Sequence, residues 1–424
     1  MKVLLLGSGG REHALALALS QSPSLTRLFI LPGNDGMAGE GQLVAGIALA
    51  DHAAILGFCR QEAIDLVVVG PEAPLVAGLA DDLAAAGFAV FGPSKAAAQL
   101  EGSKDFTKSV CDAAGIPTAA YATFTDPAGA LAYLRAKGAP IVVKYDGLMA
   151  GKGVTVAASL AEAEEAIAAL YANESAAKVV IEEMMVGEEA SFFCLIDGET
   201  VVPFGSAQDH KRVFDGDRGP NTGGMGAYSP APVFTEALEA ETLERIIRPT
   251  AREMVRRGMP YRGVLFAGLM LTAEGPRLIE YNCRFGDPEC QALMLRFEGD
   301  LVQVLLAAAT GALDRVRVRL GANHTVGVVM AAKGYPGDYA KGSVIRGLGP
   351  AGALPGVTIF HAGTKTVGGE VTSHGGRVLT VAATGTTLRE ARDRAYAAVD
   401  AIDWPEGFCR RDIAARGLAR LGQG

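Results

Sequence analysis

Residues 279–289 read Ile-Glu-Tyr-Asn-Cys-Arg-Phe-Gly-Asp-Pro-Glu. Along a strand, alternate side chains share a face. Glu280, Asn282 and, if the strand continues, Arg284 therefore point the same way. A carboxylate and an amide oxygen two residues apart can both reach a magnesium ion, which takes hard oxygen ligands and completes its shell with water and substrate phosphates. Arg284 then lies against a transferred phosphate or an acyl oxyanion, where a fixed fork of donors is useful. The bland alternative is a surface ion pair between Glu280 and Arg284 on an edge strand.

Two further segments carry phosphate chemistry. Residues 140–144 read as a strand with Lys144 at its end, and the glycine-rich run 146–154 follows. Gly151 and Gly153 let backbone N–H groups approach phosphate oxygens, while Lys144 and Lys152 supply point charges. No GK[ST] precedes a helix, so this is not a Walker loop, and by itself it reads equally well as a flexible hairpin. Residues 180–189 run from a strand into Glu182-Glu183-Met184-Met185 and on to Glu189. An extended backbone there can pair with an adenine edge, the methionines offer adaptable apolar contact, and Glu189 can accept two ribose hydroxyls. Alone, that run reads as a solvated acidic hairpin.

These residues need elements to hold them. The first hundred residues alternate short apolar strands (3–6, 28–31, 66–69, 88–91) with helices (11–20, 51–62, 75–86), which predicts a parallel sheet covered on both faces. Loops 7–10, 32–36 and 70–72 follow strands, where such sheets bind ligands. A dinucleotide fingerprint would need glycine where Glu12 stands, and no acid ends the second strand at Leu31, so a dehydrogenase is disfavoured. Beyond about residue 103 the pattern becomes α+β. A helix spans 104–114, a small lid covers about 118–190, and hairpins turn at Asp197-Gly198 and at 273–276. A long helix covers 235–257. The tail carries strands at 325–330 and 377–383 and a helix over 388–402. The domain reading is 1–103, 104–322 and 323–424.

Taken in order, Lys104 on a helix, Lys144 at a strand end, the glycine loop, the E-x-x-hydrophobic-x-G-x-E hinge and E-x-N-x-R resemble the ATP-grasp superfamily. The resemblance implies a lid that closes over ATP. Lys104 and Lys144 would hold phosphates, Glu182 and the Met185 backbone adenine, Glu189 the ribose, and Glu280 with Asn282 magnesium or manganese. One departure stands out. Many such enzymes carry a second metal carboxylate on the preceding strand, and residues 266–270 here contain no acid.

More specific blocks are Gly7-Ser8-Gly9-Gly10-Arg11-Glu12-His13, Pro32-Gly33-Asn34-Asp35-Gly36, Gly70-Pro71-Glu72, Gln208-Asp209-His210-Lys211-Arg212, the run 217–226, the run 284–291 and Cys409-Arg410-Arg411-Asp412-Ile413. Together they resemble the glycinamide ribonucleotide synthetase family over nearly the whole chain. The resemblance implies an enzyme of de novo purine synthesis. ATP phosphorylates glycine to glycyl phosphate, and the amine of 5-phosphoribosylamine then attacks. Gly9, Gly10 and Arg11 are candidates for its phosphate, and Asn34 and Glu72 for its ribose. Asp209, Lys211, Asn221 and Thr222 are candidates for glycine and the reacting phosphates. The amine proton would pass to a phosphate, Asp209 or Asp287, and His13, His210 and His324 are read as structural. The competing readings are a bicarbonate-activating ATP-grasp carboxylase and a nucleotide-binding regulator without catalysis.

Composition sets outer limits. A net charge of -8 over 424 residues argues against a general nucleic-acid binder. Six scattered cysteines without a CxxC pair argue against a zinc ribbon and fit a reducing cytoplasm. No apolar run is long enough to span a membrane. A cytoplasmic monomer acting on small molecules is expected.

Overall fold

A computed structural model describes residues 1–148, 153–174 and 177–423; the predicted phosphate-loop residues Gly151 and Lys152 lie outside them. The first five strands are β1 (Lys2–Gly7), β2 (Arg27–Pro32), β3 (Gln42–Leu43), β4 (Leu66–Val69) and β5 (Ala89–Phe91). They form a parallel sheet in the order β3-β2-β1-β4-β5. Val3 and Leu5 enter one apolar core, Leu4 and Leu6 another, so the sheet is buried on both faces as the unbroken apolar run predicts. The predicted helix 75–86 is two helices, Glu72–Ala77 and Leu79–Ala85, divided at Gly78, whose φ of 101° suits glycine but not a helix interior.

The order reverses at β1, which opens a crevice between the ends of β1 and β4. Glu12 fills it. Its Oε2 accepts the Gly9 N–H at 2.7 Å, and a Cβ added at Gly70 would lie 2.2 Å from its Oε1. A carboxylate in that position repels a pyrophosphate, which is the physical content of the failed dinucleotide fingerprint.

The lid sheet comprises β6 (Tyr121–Phe124), β7 (Ile141–Tyr145), β8 (Val154–Ala157) and β9 (Val179–Glu183), in the antiparallel order β6-β9-β7-β8. Helices Pro127–Lys137 and Leu160–Asn173, capped by Asp126 and Ser159, cover it. Leu134, Ile141, Val143, Ile167 and Ile181 give the lid its own small core.

The remaining strands build the floor. They are β10 (Glu188–Asp197), β11 (Thr200–Asp209), the hairpin β12 (Arg212–Phe214) and β13 (Arg218–Asn221), β14 (Gly226–Ser229), β15 (Arg262–Thr272), β16 (Gly275–Asn282), β17 (His324–Ala332), β18 (Val357–His361), the hairpin β19 (Thr364–Val367) and β20 (Glu370–Ser373), β21 (Arg377–Gly385) and β22 (Gly407–Phe408). One nine-stranded sheet runs β16-β15-β10-β11-β14-β17-β21-β18, with β22 on β17. The tail has a core of its own under helix Leu388–Ala401, yet its strands continue the central sheet through β14. The helical stretch predicted at 235–257 is continuous but includes a π turn, Leu243–Ile247, just before Pro249, which has no N–H to give to the preceding turn. Among the described residues no helix is long and apolar enough to cross a membrane.

Candidate active site

A cleft of about 580 Å³ lies between the lid sheet, the central sheet and the N-terminal crevice. The helix Lys104–Ala114 sends Lys104 and, one turn later, Lys108 into it; β7 sends Lys144. Glu182, opposite Val142 in the β7–β9 register, is gripped from both sides, by Lys144 at 2.9 Å and Lys108 at 3.2 Å. All three side chains are buried. Sequence reasoning found Glu182 and Lys144 but missed Lys108, although its i+4 spacing from Lys104 puts both on one helix face. Burial lowers the pKa values of Lys104 and Lys108, against the pull of nearby carboxylates.

Asp146 was also missed. Its Oδ1 accepts the N–H groups of Lys104 and Asp105, at 2.6 and 3.2 Å, and both its oxygens lie within reach of the Ser103 hydroxyl. The Lys104 ammonium donates to Gly147 O at 3.1 Å. The start of the glycine loop is thereby fastened to a helix N-terminus, where a carboxylate is favoured. Along the hinge after β9, Met184, Met185 and Glu189 line the cleft. Glu189 pairs with Lys211 at 2.6 Å. Burial pulls Lys211 down, but Glu189 and Asp209 outweigh it and hold the ammonium well above its usual range.

Glu280 and Asn282 stand on β16 at the edge of the sheet, and both face the cleft. Against burial, Lys211, Lys144, Lys104 and Arg284 hold Glu280 below the ordinary carboxylate range. No acid faces it from β15, where Gly268 is its register partner. β16 ends at Asn282, so strand alternation does not aim Arg284. Cys283 N–H instead donates to Glu101 at 2.8 Å, and Arg284 pairs with Glu101 at 3.0 Å and Glu72 at 3.2 Å. The surface pair between Glu280 and Arg284 does not form. Glu101 is a further residue that spacing could not reveal.

Arg11, Glu72, Asp209, Asn221, Thr222 and Asp287 also line the cleft, with Lys211 and Arg284. Gly9, Gly10 and Asn34 stand outside its lining. A Cβ on Gly10 would lie 2.6 Å from the Gln291 amide, so its bareness serves packing. Asn34 gives its amide hydrogens to Ser8 O and His361 O, which ties the crevice to the tail. Thr222 donates to Lys211 O at 2.8 Å and accepts from Gly224 N, fixing the loop. Asp287 accepts from Gln291 at 2.9 Å and faces Arg377 at 3.5 Å; Arg377 and Arg11 overcome burial and hold its pKa low. Asp209 is pushed the other way by burial, despite Lys211. Arg377, from β21 in the tail, and Glu289 are cleft residues that sequence reasoning passed over. Among the described residues no histidine lines the cleft; burial pushes His210 down to about 3.

A two-part clamp with lysines on lid and helix, facing an edge-strand Glu/Asn pair, defines an ATP-grasp enzyme. Comparisons with known proteins make the class specific. Residues 1–101, 102–290 and 325–416 match the N domain, the ATP-grasp (A) domain and the C domain of phosphoribosylglycinamide synthetase. A phosphoribosylamine–glycine ligase of Mesorhizobium japonicum is 59% identical over 423 residues, covering 99% of each chain. The crystal structure of a phosphoribosylamine–glycine ligase from Thermotoga maritima superposes with a TM-score of 0.84 at 33% identity, covering 98% of this chain and 100% of that one. A biotin carboxylase domain of Hydrogenobacter thermophilus 2-oxoglutarate carboxylase, solved with MgADP and bicarbonate, shares the fold at a TM-score of 0.72 and 17% identity, covering 96% of this chain and 91% of that one. The chain belongs to the phosphoribosylglycinamide synthetase family.

Proposed function

We propose that this chain joins glycine to 5-phosphoribosylamine through a glycyl phosphate, consuming ATP and releasing ADP and phosphate. The observation that carries the reading is the convergence of Lys104, Lys144, Lys211 and Arg284 on one carboxylate, Glu280. Such an array is built for polyphosphate and for the charge that develops when a phosphoryl group moves.

Glycine carboxylate is a poor acyl donor, and phosphorylation gives it a leaving group. Lys104 and Lys144 hold the ATP phosphates, and the segment Met184 to Glu189 receives adenine and ribose. Glu182 acts through the lysines it orders, one oxygen in ion-pair range of each. Glu280 and Asn282 suit a divalent cation by the donors they bring to the cleft, one carboxylate and one amide oxygen. Magnesium or manganese bound to them would neutralise phosphate charge. Arg284, stiffened by Glu72 and Glu101, presents its remaining donors to the acyl phosphate, with Asp209 and Lys211 across the cleft. Arg11 and Glu72 face the phosphoribosylamine. Asp287 is already held as an anion by Arg377, which makes it a poor proton acceptor. The lid excludes water from the acyl phosphate.

Phosphate release from Mg-ATP tests this, with glycine and phosphoribosylamine omitted in turn. Turnover that needs both is expected. Turnover supported by bicarbonate in place of glycine would exclude the reading.

A further inference from the structure

The carboxylates around the cleft divide into two groups. Most are ion-paired: Glu72 and Glu101 with Arg284, Glu182 with Lys144, Glu189 with Lys211 and Asp287 with Arg377. Among the described residues, Asp209, Glu280 and Glu289 have no such partner. Glu280 faces the lysine array. Asp209 ends β11, and Glu289 opens the helix Glu289–Met294; both line the substrate end of the cleft. Glu289 is nearly inaccessible to solvent, and Ser191 reaches its Oε1 only at 3.4 Å. Among the described residues no ion pair holds it as an anion, and Asp209, a second carboxylate without an ion pair, lies close enough to act on it.

We propose that Glu289 is the proton acceptor for the attacking amine, with Asp209 as its neighbour at the substrate end of the cleft. This rests on the ligation reading above. As the amine nitrogen forms its bond to the acyl carbon of glycyl phosphate, the bond from that carbon to the phosphate oxygen breaks. The electron pair leaves on inorganic phosphate, and the proton on nitrogen passes to the Glu289 carboxylate, which later returns it to water.

The surroundings suit that task. Burial first, and the charge of Asp209 second, push Glu289 up to about 7, against its own backbone N–H, Arg284 and Lys211. The other charged groups near its helix are engaged elsewhere: Arg377 with Asp287, and Arg11 with Glu12 and Glu72. A base whose pKa lies near the working pH is the most effective one.

The test uses the full chain as wild type, Glu289→Gln, Glu289→Asp and Asp209→Asn. Two products are measured from ATP and glycine: the amide with phosphoribosylamine, and glycyl hydroxamate with hydroxylamine as a small trapping nucleophile. Glu289→Gln should lower amide formation by about a hundred-fold and hydroxamate formation by less than about ten-fold, because a positioned base contributes on that scale. The acid limb of the kcat profile should vanish in Glu289→Gln, persist in Glu289→Asp, and move to lower pH in Asp209→Asn. Amide formation within about three-fold of wild type in Glu289→Gln, an unmoved acid limb, or an equal loss of both products would overturn the proposal, since a base matters by far more than that. A wild-type chain that makes neither amide nor hydroxamate would instead overturn the ligation reading, and Glu289 with it.

Discussion

Glu182 shows how one side chain can order a cluster of cations. It separates two buried lysines that would otherwise repel each other, Lys108 and Lys144. Glu182→Gln should therefore cost about 3–5 kcal/mol, because two buried charges lose their counter-ion. On the proposed function, ATP would supply negative charge in the same place. The variant's melting temperature should fall, and saturating ATP should restore more of it than it adds to wild type. Equal shifts with ATP in both chains would show that the lysines do not face the phosphates. Cleft residues singled out by type and spacing were legible in sequence: Lys104, Lys144, Glu280 and Asn282 all reach one cleft. Lys108, Glu101, Glu289 and Arg377 were not, because their roles depend on partners 74, 183, 80 or 90 positions away, as in Lys108 with Glu182, Glu101 with Arg284, Glu289 with Asp209 and Arg377 with Asp287.

Most elements followed local rules. The helix Lys104–Ala114 begins at the Ser103 cap and stops at Gly115 in the left-handed region, where the sequence places its end. The lid strand read at 140–144 also falls in place, as β7. The failures have local causes. Gly78 cuts one helix in two, and β16 stops at Asn282 because Glu101 captures the next N–H. The link between lid and helix was invisible, since it hangs on Asp146 reaching back 42 residues to the Lys104 N–H. That bond predicts a selective defect. Asp146→Ala removes charge-assisted bonds from the end of a helix and frees Lys104 from its place beside Gly147. The KM for ATP should rise about ten-fold, the loss expected from one or two hydrogen bonds to a charged group, while the KM for glycine changes little. Initial rates with each substrate varied in turn would show the split, and parallel rises in both constants would contradict it.

At the scale of the whole molecule, the first and last parts of the chain meet at the crevice. His361, at the end of β18, gives its N–H to His13 at 2.8 Å, and burial, then His13, push it down to about 4. His210 lies at about 3. An unfolded histidine takes its proton near 6.5. Between 6.5 and these lower values the unfolded chain holds more protons, so stability is intact above 6.5 and lost as pH falls through that window. Each histidine contributes a slope of up to about 1.4 kcal/mol per pH unit. Denaturation followed from pH 7 to 5 should show this decline, and His361→Asn should make it shallower. Sequence reading predicted a third unit in the tail, but not that its sheet joins the floor through β14 or that it enters the cleft. Arg377 is how it enters: one guanidinium nitrogen donates to Gly223 O at 2.7 Å, Gly224 O at 3.2 Å and Asp287 O at 2.6 Å. It thus joins the two loops that carry Thr222 and Glu289. Arg377→Met should let them separate. Because a shift of about 1 Å in a substrate wall can lower rates by about a hundred-fold, kcat/KM for phosphoribosylamine and glycine should fall by about ten- to a hundred-fold. The KM for ATP, set at the lid end of the cleft, should stay within about two-fold of wild type on the same positional argument. Arg377→Lys keeps the charge but not the planar guanidinium that meets the three carbonyls with one nitrogen and the Asp287 carboxylate with the other, so it should recover little. If Arg377→Lys recovers full activity, charge alone accounts for the residue and the tail does not act by holding the loops together.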